Sequence, residues 1–409
     1  MSLAEVPLIL ILVGLAAYAV LGGADFGAGF WQLPGGGSDD ARAIREHAHH
    51  AMGPVWEANH VWLIFVLVVC WTAYPTVFGS IASTLCVALF IAGLGIILRG
   101  TAYALRSGTR TMREQRIVEE VFGVSSILTP FALGAAVGGI ASGRVPVGNA
   151  QGDLITSWLN PTSAMIGAIA VASAAYLAAV YLAADAKRVG KTRLVQAFRT
   201  RALIMGFVAG AVALGALPVI HADARPIWDG LTSGAGLAAV FASAAAGLTT
   251  LILVWQSRFE PARATAAVAV SAIIAGWALA QRPYLLPGLT VDEAAAGRST
   301  LITLIVGVAL GALLLVPSLA LLFDLVLKGR FDAEAEEPAA AVAVPPPRPQ
   351  RSLLLPVAGG CAVVGAVLMF FFDSAWLNVV GALFLFAFIA TGFVALAKPA
   401  VASGTDDQA

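Results

Sequence analysis

The chain is a succession of long apolar runs broken by short polar stretches. A helix needs about 20 predominantly apolar residues to cross a bilayer. Eleven stretches reach roughly that length: 7–29, 54–74, 77–102, 119–141, 160–183, 202–220, 231–255, 264–281, 299–326, 352–372 and 376–397. Segment 40–52, DARAIREHAHHAM, is polar and predicts a short surface helix leading into Pro54, at the first turn of the next run. Glycine and alanine crowd the runs, with Gly22, Gly23, Gly27 and Gly29 in the first. Small residues let helices approach closely in lipid, which predicts a compact bundle. Residues 331–351, FDAEAEEPAAAVAVPPPRPQR, read as a linker, because acidic residues, alanines and a proline cluster build no packed core. The last two runs, split at Phe372-Asp373-Ser374, form a separate pair. The expected organisation is an all-α integral membrane protein: a nine-helix body over 1–330, a linker over 331–351, a transmembrane hairpin over 352–397 and a tail over 398–409.

Composition sharpens this reading. The chain is 59% hydrophobic and 12% charged, whereas soluble domains run near one quarter charged, which excludes a soluble enzyme. Net charge is zero, so no basic surface points to nucleic acid. Cys70, Cys86 and Cys361 lie inside apolar runs without CxxC spacing and read as small apolar residues. The first run is of spanning length with no basic segment ahead of it, so no cleavable signal peptide is expected. Basic residues favour the cytoplasmic side. Twenty of the 24 lysines and arginines fall in the loops after odd-numbered runs or, like Arg99, at the end of one; only Arg144, Arg225, Arg282 and Arg298 lie opposite. The expected topology has the N-terminus outside and the C-terminus in the cytoplasm.

The stretch GPVWEANHVW (53–62) places Glu57, Asn59 and His60 between Trp56 and Trp62 at the mouth of a membrane helix. Such groups are costly there and need partners. Asp25, near the end of the first run, is the nearest upstream acid, at the same expected depth. Two readings of each acid stay open. Asp25 pairs with an arginine such as Arg99, and Glu57 complements its own helix dipole; or the two acids, with Asn59 and His60, bind and pass protons from the cytoplasm, desolvation raising a carboxylate toward the working range of a relay. Of the five histidines, His60 alone is placed even approximately for haem ligation, and hydrogen bonding beside Glu57 is the preferred role. His47, His49 and His50 read as a solvated surface turn, with a transition-metal site as the alternative. His221 lies at the outer end of its run, next to Asp223. On the outer side, Trp277, Gln281, Arg282, Pro283 and Tyr284 mark a loop in which Arg282 and Arg298 are expected to pair with Asp292 or Glu293.

Several of these motifs point to a family. GADFGAG (23–29), GPVWEANHVW, the Tyr74-Pro75 pair, LRGTAYALR (98–106) and GWALAQRPYLLPGLTVDEAAAGRSTL (276–301) resemble, in order and spacing over about residues 1–330, the second subunit of cytochrome bd-type quinol oxidases. The resemblance implies a heterodimer with a first subunit that holds haem b and haem d and the main quinol site. It implies quinol oxidation coupled to reduction of dioxygen to water, with protons taken from the cytoplasm, in the prokaryotic plasma membrane. It implies that this chain ligates no haem, and that Asp25 and Glu57 fall on the family's acidic proton-path positions, with Trp56, Trp62 and Arg99 as structural residues. Glu57 stands where aspartate is commoner, and His60 where glutamate or glutamine is usual, a change that makes the network sensitive to pH near neutrality.

The body is accordingly read as two four-helix bundles plus one peripheral helix, although no convincing sequence identity links the halves. Other partners left open are small accessory subunits, membrane lipid and quinone. Two further classes stay in view: a proton-coupled secondary transporter, against which no central Pro/Gly-interrupted pair stands out, and a purely structural assembly subunit. Residues 331–409 depart most from the family, and the hairpin is read as replacing a small accessory subunit. The expected outcome is that a chain ended near Arg330 assembles with reduced haem content or oxidase activity; full values for both would show the hairpin to be dispensable.

Overall fold

The computed structural model describes residues 2–33, 39–52, 56–106, 111–327, 354–371, 374, 376–377, 379–388 and 391. The chain divides into two compact units, Met1–Lys328 and Gly329–Ala409. The expected linker 331–351, the tail 398–409, Pro54 and the break at Phe372-Asp373 lie outside the described residues.

The first unit is helical. Helix α1 (Glu5–Ala17) passes through a π-helical turn (Tyr18–Gly22) into α2 (Gly23–Gln32). There follow α3 (Asp39–Met52), α4 (Trp56–Ala73), α5 (Pro75–Thr84), α6 (Cys86–Leu105), α7 (Met112–Ala141), α8 (Pro161–Arg188), α9 (Thr192–Asp223), α10 (Arg225–Leu231), α11 (Gly234–Trp255) and α12 (Phe259–Gln281). A two-stranded hairpin, β1 (Tyr284–Leu286) and β2 (Leu289–Thr290), then α13 (Val291–Ala294) and α14 (Arg298–Leu327) complete it. Among the described residues, eight helices are long and apolar enough to cross a membrane, α1 through α2 counting as one, and Asn59–Ala73 of α4 is a shorter apolar helix.

Local chemistry sets the boundaries. Tyr74 precedes a proline, which disfavours helical backbone; its φ of −136° ends α4, and Pro75 opens α5. The run expected at 77–102 therefore starts earlier and bends at Leu85. Backbone bonds from Leu85 to Ile81 (2.9 Å) and from Leu89 to Leu85 (3.0 Å) continue through the bend, so it is a kink and not a turn. Asn160 caps α8 by accepting from the Ser163 N–H at 2.9 Å, with Pro161 behind it. Thr111 and Glu114 form a capping box that carries α7 back past the apolar window into polar sequence. Helix α11 ends at Ser257 with φ 59°, where the Arg258 N–H bonds Leu253 O at 2.8 Å.

Helix α8 is the central strut, with Ala175, Leu177, Ala178, Ala179, Val180, Leu182 and Ala183 all fully buried. It packs against α2, α7, α9 and α12, and so joins the first four spans to the next four. Helix α14 touches α4 and α1 and is otherwise exposed, as a peripheral helix would be.

Helix α3 corrects an expectation. Ile44, His47 and Ala48 share one face at i, i+3, i+4 spacing, and that face is buried in the same core as α8 and α9. The His47 Nε2 lies 3.2 Å from Leu182 O and 3.5 Å from Asp185 Oδ2. The helix is docked, and His47 is no part of a solvated turn. In the second unit, α15 (Leu354–Phe371) meets the helix at 379–388 where Gly365 faces Leu385 and the Gly381 carbonyl.

Among the described glycines, the least room for a side chain is at Gly27, where a Cβ would fall onto the Ala174 carbonyl and 2.7 Å from Ala178 Cβ. Backbone cannot yield there. Gly27→Ala is expected to cost about 3 kcal/mol or more and to lower the unfolding temperature of what is recovered. Gly210→Ala in α9, with nothing within 4 Å of the added atom, is expected to be neutral or to stabilise by about 0.5–1 kcal/mol; thermal unfolding of the two variants reads the difference.

Candidate functional site at the Asp25–Arg99 pair

Five small residues in GADFGAG bring α2 against its neighbours: Gly27 meets α8 at Ala174, and Gly29 meets α7 at Ser126. Asp25, between two such turns, is 1% exposed, and Arg99 of α6 is 3% exposed. The guanidinium grips the acid as a fork. Its Nη1 donates to Asp25 Oδ2, and its Nη2 donates to Oδ1 at 2.8 Å and to the Asp25 backbone carbonyl at 3.0 Å. Arg99 also lies over two rings, with Cζ 4.9 Å from the centroid of Phe26 and 4.6 Å from that of Phe122. The sequence offered Arg99 as one possible partner of Asp25. Nothing in it pointed to the two aromatic contacts, because Phe122 belongs to a third helix.

Next to the pair, Tyr18, Phe26 and His60 form a ring cluster. The His60 centroid is 6.1 Å from each of the other two. Trp62 packs on this cluster and lies 6.3 Å from Phe65. The Asn59 amide donates to Leu21 O at 3.3 Å, inside the π-helical turn. Such turns widen a helix by one residue and recur at functional sites. Asp25, Asn59, His60, Trp62 and Arg99 are thus brought together. The side chains of Trp56 and Glu57 lie outside the described residues, although both belong to α4.

An axial imidazole must face an open cavity; the described ring contacts of His60 are to Tyr18 and Phe26. Among the described residues no group of three or more His, Cys, Asp or Glu could hold a metal ion. Two buried groups escaped the sequence reading: the Tyr18 hydroxyl, and the Thr129 hydroxyl on α7 beside Gly95, one turn of α6 from Arg99. Neither hydroxyl has a hydrogen-bond partner among the described residues, and no pattern in an apolar run marks such a residue.

At the opposite end of the bundle, the stretch from 276 onward is a clasp. Trp277 Nε1 donates to Gln281 Oε1 at 2.7 Å, and Gln281 Nε2 donates to Leu285 O at 2.9 Å. The expected pairing there differs. Arg282 pairs with Glu5, Asp292 accepts from the Ser2 hydroxyl, and Glu293 closes a capping box with Thr290. Local capping outcompetes a distant arginine for Glu293. The Thr290 hydroxyl, and then its N–H, hold the Glu293 carboxyl below the usual range, so the cap is complete above the ordinary glutamate pKa and is lost as pH falls through the lowered one. His221 meets Arg225 and Trp228, while Asp223 binds Arg144 and Thr162.

The protein-family model described as cytochrome bd terminal oxidase subunit II matches residues 3–326. A Bacillus subtilis (strain 168) chain, provisionally named a cytochrome bd menaquinol oxidase subunit II, is 24% identical over 294 residues, which is 67% of this chain and 81% of the relative. The cytochrome bd-I ubiquinol oxidase subunit 2 of Escherichia coli (strain K12) is 27% identical over 135 residues, 32% of this chain and 35% of that one. A solved structure of bd oxidase from Geobacillus thermodenitrificans shares the fold, with a TM-score of 0.66 at 24% identity, covering 80% of this chain and 99% of its own. A helical membrane fold with these spans, and a family match running from the first helix to α14, lead to one conclusion: the chain belongs to the cytochrome bd terminal oxidase subunit II family.

Proposed function

We propose that the chain works as the subunit of a quinol oxidase complex that ligates no haem, paired with a subunit I that carries haem b and haem d, and that the Asp25 site is the cytoplasmic mouth of a proton-uptake path toward those haems. In this reading the complex oxidises quinol and reduces dioxygen to water in the prokaryotic plasma membrane, with this chain's N-terminus outside. The relatives' names support the quinol oxidase, one specifying menaquinol and another ubiquinol. The excess of arginine and lysine in alternate loops supports the orientation.

The observation that carries the proton path is the buried Asp25–Arg99 pair beside His60. Ionisable groups inside membrane helices are costly and mark ion and proton pathways. The pair does particular work there. Arg99 alone would repel an arriving proton, by about 3 kcal/mol at ~6 Å in an effective dielectric of ~20. Asp25 alone would trap it. Together they leave the mouth near neutral, so that Glu57 and His60, with Asn59 orienting the turn, can exchange protons with the cytoplasm.

The fork geometry also favours a second reading, in which the pair is a structural lock required for assembly. Single substitutions separate the two. Asp25→Asn and Glu57→Gln are expected to leave haem spectra intact and to slow oxygen consumption, Asp25→Asn about tenfold or more because it uncovers Arg99. Asp25→Asn with Arg99→Gln should recover part of that rate by restoring neutrality. Normal turnover in the singles, or loss of haem d, would favour the lock. Breaking a buried pair costs about 3–5 kcal/mol, so stability of the Asp25→Asn complex is measured alongside. Tyr18→Phe removes a hydroxyl that has no partner among the described residues; stability is expected to hold within about 1 kcal/mol, and a fall in turnover at constant stability would assign the hydroxyl to the path.

A further inference from the structure

We propose that a cleft between the C-terminal end of α8 and the turn joining α11 to α12 binds a phosphate-ester anion, the headgroup of an anionic phospholipid. The cleft encloses about 430 Å³ and is lined by Lys187, Arg188, Arg258, Phe259, Glu260 and Pro261, among others. Its charges do not cancel. Arg188 is paired with Asp185 at 2.8 Å, and Glu260 with Arg263 at 3.5 Å. Lys187 and Arg258 are left without a carboxylate among the described residues. Lys187 Nζ donates to Ser257 O at 2.9 Å and lies 5.7 Å from the centroid of the Phe259 ring; the bond occupies one of its three hydrogens and leaves two. The guanidinium of Arg258 is exposed and does not cap its own helix.

Two further features point to a lipid. The cleft opens at the first turn of the 23-residue α12, whose N-terminal residues Phe259, Glu260 and Pro261 line it, so the helix dipole adds to the two cations. Trp255, the last residue of α11, is 67% exposed. Tryptophan at a helix end marks the bilayer interface, which sets the cleft at headgroup depth. Basic pockets between membrane helices at that depth take anionic headgroups, and the stems of Lys187 and Arg258 are long enough to reach a phosphate there. Ser257 holds a left-handed backbone (φ 59°) that few non-glycine residues adopt; that conformation turns its carbonyl toward Lys187.

The test uses the purified oxidase complex in detergent, with phosphatidylglycerol, phosphatidylcholine or inorganic phosphate added back. Native mass spectrometry reads retained lipid, and thermal unfolding reads the shift. Phosphatidylglycerol is expected to be retained and to raise the unfolding temperature. The Lys187→Gln/Arg258→Gln complex should retain it about thirtyfold less tightly, the factor two cations contribute together near an anionic lipid, and Lys187→Arg/Arg258→Lys should keep it. Phosphatidylcholine should show no difference between these complexes. Saturable stabilisation by inorganic phosphate alone, lost in the glutamine variant, would support the anion site and overturn its assignment to lipid. Equal retention of phosphatidylglycerol by the native and glutamine-variant complexes overturns the site.

Discussion

A carboxylate and a guanidinium buried together inside a membrane bundle constrain everything around them. Each ion alone would be expensive to desolvate, and the pair is tolerable only with tight geometry and every remaining polar atom supported. The protein meets most of this by a short chain of requirements, with Arg99 Nε left without a hydrogen-bond partner among the described residues. Glycines at 27 and 29 let α2 press against α7 and α8. That approach brings Phe122 of α7, like Phe26, within cation–π distance of Arg99. The second Nη then reaches both a carboxylate oxygen and the Asp25 carbonyl. Loosening the glycine contacts would separate the rings and expose the pair, so the helix packing and the electrostatics of this site are one arrangement.

The two ends of the first unit are built differently. At the Arg282 end, the chain's first residues, the α4–α5 junction and the β-hairpin are tied by side chains and backbone: Glu5 to Arg282, Tyr74 to the Ala4 carbonyl, and the Ala296 N–H to Ala73 O at 2.8 Å. These are fixed closures with short-range geometry. At the α3 end, the helix bearing His47 packs over the bundle, and arginines engage helix termini, as Arg199 does with Val254 O at 3.2 Å. Cations at helix C-termini complement the dipole, so part of the positive charge at this end stabilises α11 and part remains available to solvent or lipid. The Asp25 site lies on α2, α4 and α6, helices whose neighbouring turns are close-packed, which suits a site that must hold charge without letting water in freely.

Much of this was legible in the chain itself. Runs of about 20 apolar residues have one stable solution in a bilayer, because every backbone group must bond within its own helix. The helical membrane body, the glycine-lined contacts of α2 and the subunit II resemblance all follow from one-dimensional pattern. Asp25 and His60 stood out because a polar side chain in an apolar run is conspicuous. The kink at Leu85, the burial of His47 and the pairing of Glu5 with Arg282 were not legible. Each depends on which residue of a distant helix arrives first, and a polar segment such as 40–52 looks solvated until the groove that receives its Ile44 face exists.

By itself the sequence determined which stretches are helical, their immersion in lipid and their family, since those depend on local hydropathy and motif spacing. Tertiary structure alone decided that Arg99 belongs to Asp25, that two phenylalanines from different helices lie against it, and that Lys187 and Arg258 share one cleft. The reason is physical. Hydropathy is a sum over neighbours in the chain, whereas a charge chooses its partner by distance and desolvation, and those exist only once the helices have packed.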